Sequence, residues 1–156
     1  MTPQEIRDAI AASPELQALG KNTQSIADAL SVGRKQVKPR IVSARGIAAE
    51  YPGGPVAAEV VLMKLEGAAA AASASADQSQ KVLGSLINRQ LRFLAADGLD
   101  FGSPALRGML DQFVGMSILT QAEVDGLKSL ADVPETISEM DVRRACYDDD
   151  GKVWIA

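Results

Sequence analysis

The sequence predicts an all-α fold. Three observations carry the expectation: about 25 alanines against one Trp, two Tyr and three Phe, four separate helix-start signatures, and apolar residues recurring at helical rather than strand spacing. A chain of 156 residues can bury a single core without disulfides or metals. The expectation is therefore one compact multi-helix domain over residues 1–156, with short helices and a basic loop at 1–51, a central helix pair at 55–97, further helices at 103–147 and a tail at 148–156.

The first helix starts at the capping box Thr2-Pro3-Gln4-Glu5, with Pro at its first position and Ile6 and Ile10 on one face. Ser13-Pro14 opens a second, which Gly20 ends with a left-handed residue. Ser25 to Leu30 gives a third. Residues 36–42 alternate Val37, Pro39 and Ile41 with Lys38 and Arg40, predicting an extended segment or edge strand, and Ser43 caps a brief helix reaching Tyr51. Pro52-Gly53-Gly54-Pro55 is the strongest breaker in the chain.

The central pair follows. Its first helix starts at Pro55, with Val56, Val60, Met63 and Leu65 as the expected apolar stripe, and runs into Gly67 and the alanine/serine tract 68–76. The tract reads as a close helix–helix seam or as a weakly packed surface segment. The second helix covers 77–96, with Val82, Leu83, Leu86, Ile87, Leu91 and Leu94 at core spacing. The two form a hairpin or one continuous helix, which Gly98 ends. Ser103-Pro104 then starts a helix to Val114, the box Thr120-Gln121-Ala122-Glu123 one to Ala131, and Ser138 one to Tyr147. Asp148-Asp149-Asp150-Gly151 reads as a turn, and 152–155 as a short strand or a docked tail.

Composition narrows the chemistry. Histidine is absent, which removes the commonest general base and metal ligand and every Ser-His or Cys-His dyad. Cys146 is the only cysteine and reads as a bystander thiol. The expectation is no catalytic residue, no metal ligand and no cofactor, hence no enzyme. The three aspartates at 148–150 resemble the start of a calcium loop, but counting back from Gly151 puts Cys146 at the first ligand position. No basic region followed by an apolar core opens the chain, and charges interrupt each long apolar stretch, so neither a signal peptide nor membrane insertion is expected.

The candidate contacts are basic. Arg34, Lys35, Lys38, Arg40 and Arg45 lie within twelve residues free of acids, leaving about −9 on the rest of a chain of net charge −4. Phosphate contact by all five would give a log-affinity salt slope of about −4.5. Ala27, Ser31 and Val37 even match helix-turn-helix spacing. Pro39 would fall inside the recognition helix, however, and no aromatic is interleaved for base stacking, so an acidic protein surface is the expected partner and nucleic acid is not. Trp154, the only tryptophan, is a further candidate contact: it anchors the tail on its own core or on a partner.

The segments TPQEIRDAIAASPELQAL, IADALSVGR and LTQAEVDGLKSLADVP resemble a group of short, poorly characterised α-helical proteins of tailed bacteriophages of Gram-negative bacteria. The similarity covers the N-terminal third and the C-terminal helix pair, and the group has no catalytic motif to carry over. The resemblance implies a virion component, tail-associated and present in many copies, made in the host cytoplasm and contacting other phage structural proteins or copies of itself. The alternative is a small regulatory or host-takeover protein that binds nucleic acid or a host protein through 34–45.

Overall fold

The computed structural model describes residues 1–147 and Trp154. The aspartate turn at 148–150 and the tail at 152–155 otherwise lie outside the described residues. The fold is mostly helical. In chain order the elements are α1 (Pro3–Ala12), α2 (Pro14–Ala18), α3 (Thr23–Ser31), β1 (Lys35–Val37), β2 (Ile41–Val42), α4 (Ala44–Glu50), α5 (Gly54–Ala74), α6 (Gln78–Ala96), β3 (Leu99–Asp100), α7 (Pro104–Gly115), α8 (Gln121–Ser129), β4 (Asp132–Pro134) and α9 (Glu139–Cys146).

Most of the expected caps form, although Ser103 precedes α7 without a side-chain cap hydrogen bond. In α1 the Thr2 hydroxyl accepts from the Glu5 amide while Glu5 accepts from the Thr2 amide at 2.7 Å. Thr120 and Glu123 repeat the arrangement in α8, and Ser138 and Asp141 in α9. The third helix begins earlier than expected, because Asn22 caps it and Thr23 is already helical.

The chain divides into two compact units, Met1–Gln36 with Val133 onward, and Val37–Asp132. Each has its own apolar cluster, where the composition alone suggests one core. In the first unit Ile6 and Ile10 of α1 and Ile26, Ala27 and Leu30 of α3 pack with Val142, Ala145 and Cys146 of α9. The Arg7 guanidinium donates to the Ala145 carbonyl at 2.9 Å, and Thr23 donates to Glu139 at 2.9 Å.

The second unit is built on the antiparallel hairpin of α5 and α6, joined by residues 75–77. The tract 68–76 resolves as a seam: Ala69 and Ala72 are buried, and opposite them Gly84 is buried in α6. A Cβ on Gly84 would lie 2.7 Å from the Ser73 amide nitrogen and 2.9 Å from the Ala69 carbonyl oxygen, so glycine sets how closely the helices meet.

Of the apolar stripe expected on α5, Leu65 is buried, but the other three residues face outward. Val56 is 79 % exposed and Met63 61 %, with Val60 also exposed, while Ala58, Val61, Leu65, Ala69 and Ala72 are inside. This helix is apolar almost all round, so periodicity does not choose its buried side; the small residues that permit close approach do. On α6, Ile87 and Leu94 are buried as expected, but Val82 and Leu86 are exposed.

The extended segment expected at 36–42 resolves into β1 and β2 around Pro39. β2 pairs antiparallel with β3, Ile41 opposite Asp100 and Val42 opposite Leu99, and β1 pairs with β4. The Asp100 carboxylate accepts from the Arg40 amide at 2.7 Å and from the Gly102 amide at 3.0 Å. Gly102 has no room for a Cβ, because the Lys38 carbonyl occupies its place.

Candidate interaction surface

The basic residues follow from the way α3 ends. Gly33 takes a positive φ of 69°, which turns the chain out of the helix into β1 and sets Arg34 at the strand's start. Arg34 is half-buried and its carbonyl accepts from the Glu135 amide at 3.1 Å, whereas Lys35 is exposed. These two belong to the first unit. Lys38, Arg40 and Arg45 belong to the second.

Lys38 is exposed, and its backbone amide is held by the Ala131 carbonyl at 3.1 Å. Arg40 serves its own unit: one guanidinium nitrogen donates to the Leu130 carbonyl at 2.8 Å and another meets Glu50 at 2.6 Å. It thereby ties the end of α4 to the C-cap of α8. Arg45, on the outer side of α4, is exposed. Among the described residues, no carboxylate lies within ion-pair distance of Arg34, Lys35, Lys38 or Arg45. No sequence signal marked Arg40 as different, because its partner Glu50 is brought near only by the folding of β2 and α4.

Trp154 packs edge-on against Tyr147, ring centroids 5.2 Å apart, and both rings lie against the apolar cluster of the first unit. Cys146 is buried in that cluster, and burial pushes its thiol pKa up, which keeps it protonated and unreactive. In the second unit the Tyr51 hydroxyl donates to the Glu123 carbonyl at 3.3 Å, with burial raising its pKa. Its ring covers Gly126, where a Cβ would lie 2.8 Å from the hydroxyl.

Sequence reasoning missed the outward faces of α5 and α6. Lys64 of α5 donates to Glu123 at 2.6 Å, and that contact, ahead of the Thr120 amide, holds the Glu123 carboxyl below the usual range. The remaining exposed α5 charges near Val56, Val60 and Met63 are Glu59 and Glu66. On α6 the exposed Val82, Leu86 and Phe93 lie among Lys81, Arg89 and Arg92. Their signal was available: each stripe repeats at i, i+4 and near i+7 or i+11, but so does a buried stripe on the same helix.

Inside the second unit lies a cavity of about 30 Å³ between Ile47, Leu65, Ile87, Phe101, Leu110 and Phe113. Its apolar walls give a water almost no hydrogen-bond partner, so it is a packing void rather than a polar site. Among the described residues, no three acidic or cysteine side chains group as a metal site, and no helix is long and apolar enough to cross a membrane. Comparison of the chain with protein-family models, with curated proteins and with solved structures finds no match.

Proposed function

We propose that the protein is a non-enzymatic interaction protein of a bacteriophage particle, tail-associated and present in several copies. It contacts neighbouring proteins, copies of itself among them, through charged surface segments and helix faces. The observation that carries the protein-partner reading is the conformation of residues 35–42. Where a helix-turn-helix protein would place its recognition helix, this chain has two short strands on either side of Pro39, and an α-helix is what enters the major groove in that class. Lys35, Lys38 and Arg45 are exposed and carry positive charge suited to an acidic protein surface. The phage setting, and with it the virion as the place of residence, is supported by the sequence resemblance alone.

The experiment is mass spectrometry of purified particles alongside infected-cell lysate. Abundant peptides of this chain in the particles are the expected result. Peptides confined to the lysate early in infection would overturn the virion reading in favour of the regulatory one. The regulatory reading would gain further from duplex binding at physiological salt with a steep salt slope.

A further inference from the structure

The two longest helices leave outward stripes of opposite charge. On α5 the exposed Val56, Val60 and Met63 are accompanied by Glu59 and Glu66; Lys64 is engaged by Glu123. On α6 the exposed Val82, Leu86 and Phe93 are accompanied by Lys81, Arg89 and Arg92, and between its caps Asp77 and Asp97 this helix has no acid at all. Among the described residues, none of these five charged side chains makes an ion pair. Single exposed apolar residues are ordinary on a surface, but two stripes in helical register, each edged by one sign of charge, form surfaces that suit a partner helix.

We propose that the acid-edged face of α5 in one copy docks on the base-edged face of α6 in a second copy. The charges select this pairing. A contact of α5 with α5 would bring Glu59 and Glu66 against their own counterparts, and a contact of α6 with α6 would do the same with Lys81, Arg89 and Arg92; both are repulsive. Joining α5 to α6 brings unlike charges together around apolar centres of valine, methionine, leucine and phenylalanine. The contact is heterologous, because each copy offers one face and receives on another. Repetition therefore closes a ring or extends a filament rather than stopping at a symmetric dimer. It rests on the multi-copy reading above only in requiring that copies meet, and it is indifferent to whether they meet in a virion.

The test is sedimentation equilibrium of the full chain with two complementary variants. The unaltered protein associates with rising concentration, and added salt weakens the association because the exposed charges are screened. Glu59→Lys with Glu66→Lys makes both faces basic; Lys81→Glu with Arg89→Glu and Arg92→Glu makes both faces acidic. Each variant alone requires at least about tenfold higher concentration to associate. Mixing the two in equal amounts restores association, because each basic face then meets an acidic one at every junction. Phe93→Ser, uncharged and on an exposed site, weakens association as well and guards against misfolding of a multiply charged variant. A chain that stays monomeric to about 1 mM overturns the interface. So does an α5 variant that associates as well alone as the unaltered chain, or a mixture that recovers nothing. None of these outcomes bears on whether the protein is found in particles, which mass spectrometry decides separately.

Discussion

Gly84 of α6 lies directly against the backbone of Ala69 in α5, closer than any side chain at position 84 would allow. The hairpin's spacing is set at that point. Gly67, also helical, has nothing near its missing Cβ. Opposite effects are therefore expected of one substitution at two positions. Gly67→Ala should stabilise the protein by roughly 0.5–1 kcal/mol through lower backbone entropy of the unfolded chain. Gly84→Ala should destabilise it by about 1–3 kcal/mol, because two backbones must separate. Thermal melting of the two variants checks both signs; equal shifts would mean the helices do not meet at Gly84.

A second contrast concerns neighbours on α6. Ile87 is fully buried and Leu86 is 37 % exposed. Ile87→Ala should cost about 2–5 kcal/mol, the range for a core truncation that leaves a cavity. Leu86→Ala should cost under about 1 kcal/mol. Denaturant unfolding gives both values, and a larger cost at Leu86 would reverse the assigned orientation of the helix.

Acid should loosen the helix starts. The carboxyls of Glu5 and Asp141 are held below their usual range by hydrogen bonds from Thr2 and Ser138, and that of Glu123 by Lys64 and then Thr120. A carboxyl with a lower pKa folded than unfolded contributes stability that is complete above its unfolded value, about 4.3 for Glu and 3.9 for Asp. That contribution disappears as pH falls through the folded value. Stability should thus be flat with respect to these groups above about pH 5 and decline below about pH 4.5. Glu123→Gln keeps an acceptor but has no charge to lose, so its unfolding midpoint should fall less steeply over the same range. Identical slopes for the two proteins would remove Glu123 from the explanation.

The basic segment separates by role. Reversing the exposed Lys35, Lys38 and Arg45 to glutamate should change stability by no more than about 0.5 kcal/mol, since exposed charges contribute little. It should still weaken partner binding or particle incorporation. Arg40→Ala should cost about 1 kcal/mol, by leaving the Leu130 carbonyl and Glu50 without their donor; partial exposure keeps the figure small. Melting temperatures and a pull-down from particle lysate distinguish the two, and a stable Arg40 variant would show that its contacts are replaced by water.

Local chemistry made much of the fold legible. The boxes at Thr2 and Thr120 and the cap-and-proline starts at Ser13 and Ser103 each depend on residues a few positions apart, whereas the choice between a hairpin and one continuous helix at 55–97 was left open. The buried side of α5 was not legible, because Val56, Val60 and Met63 compete with Val61 and Leu65 on a helix that is apolar on nearly every face. Pairing of Val42 with Leu99, and of Arg40 with Glu50, depends on folding that brings distant segments together. At the candidate surface, the charges of 34–45 were plain in the sequence. What was hidden is that Arg40 is taken up internally, and that Val56, Val60 and Met63 beside Glu59 and Glu66, and Val82, Leu86 and Phe93 beside Arg89 and Arg92, face outward.

The first unit joins α1 and α3 to α9, which begins more than a hundred residues later, while every part of the second unit comes from the continuous stretch Val37–Asp132. During synthesis the later-starting unit is thus the first that can be completed. Ile6, Ile10, Ile26 and Leu30 emerge early and must wait for Val142 and Cys146 with their apolar faces uncovered. At about 5–20 residues per second that interval lasts several seconds, long enough for a chaperone or a neighbouring nascent chain to occupy the waiting faces. A copy truncated before residue 139 would leave those faces open permanently, and it is this shortened product, rather than a point variant of the hairpin, that should accumulate as aggregate.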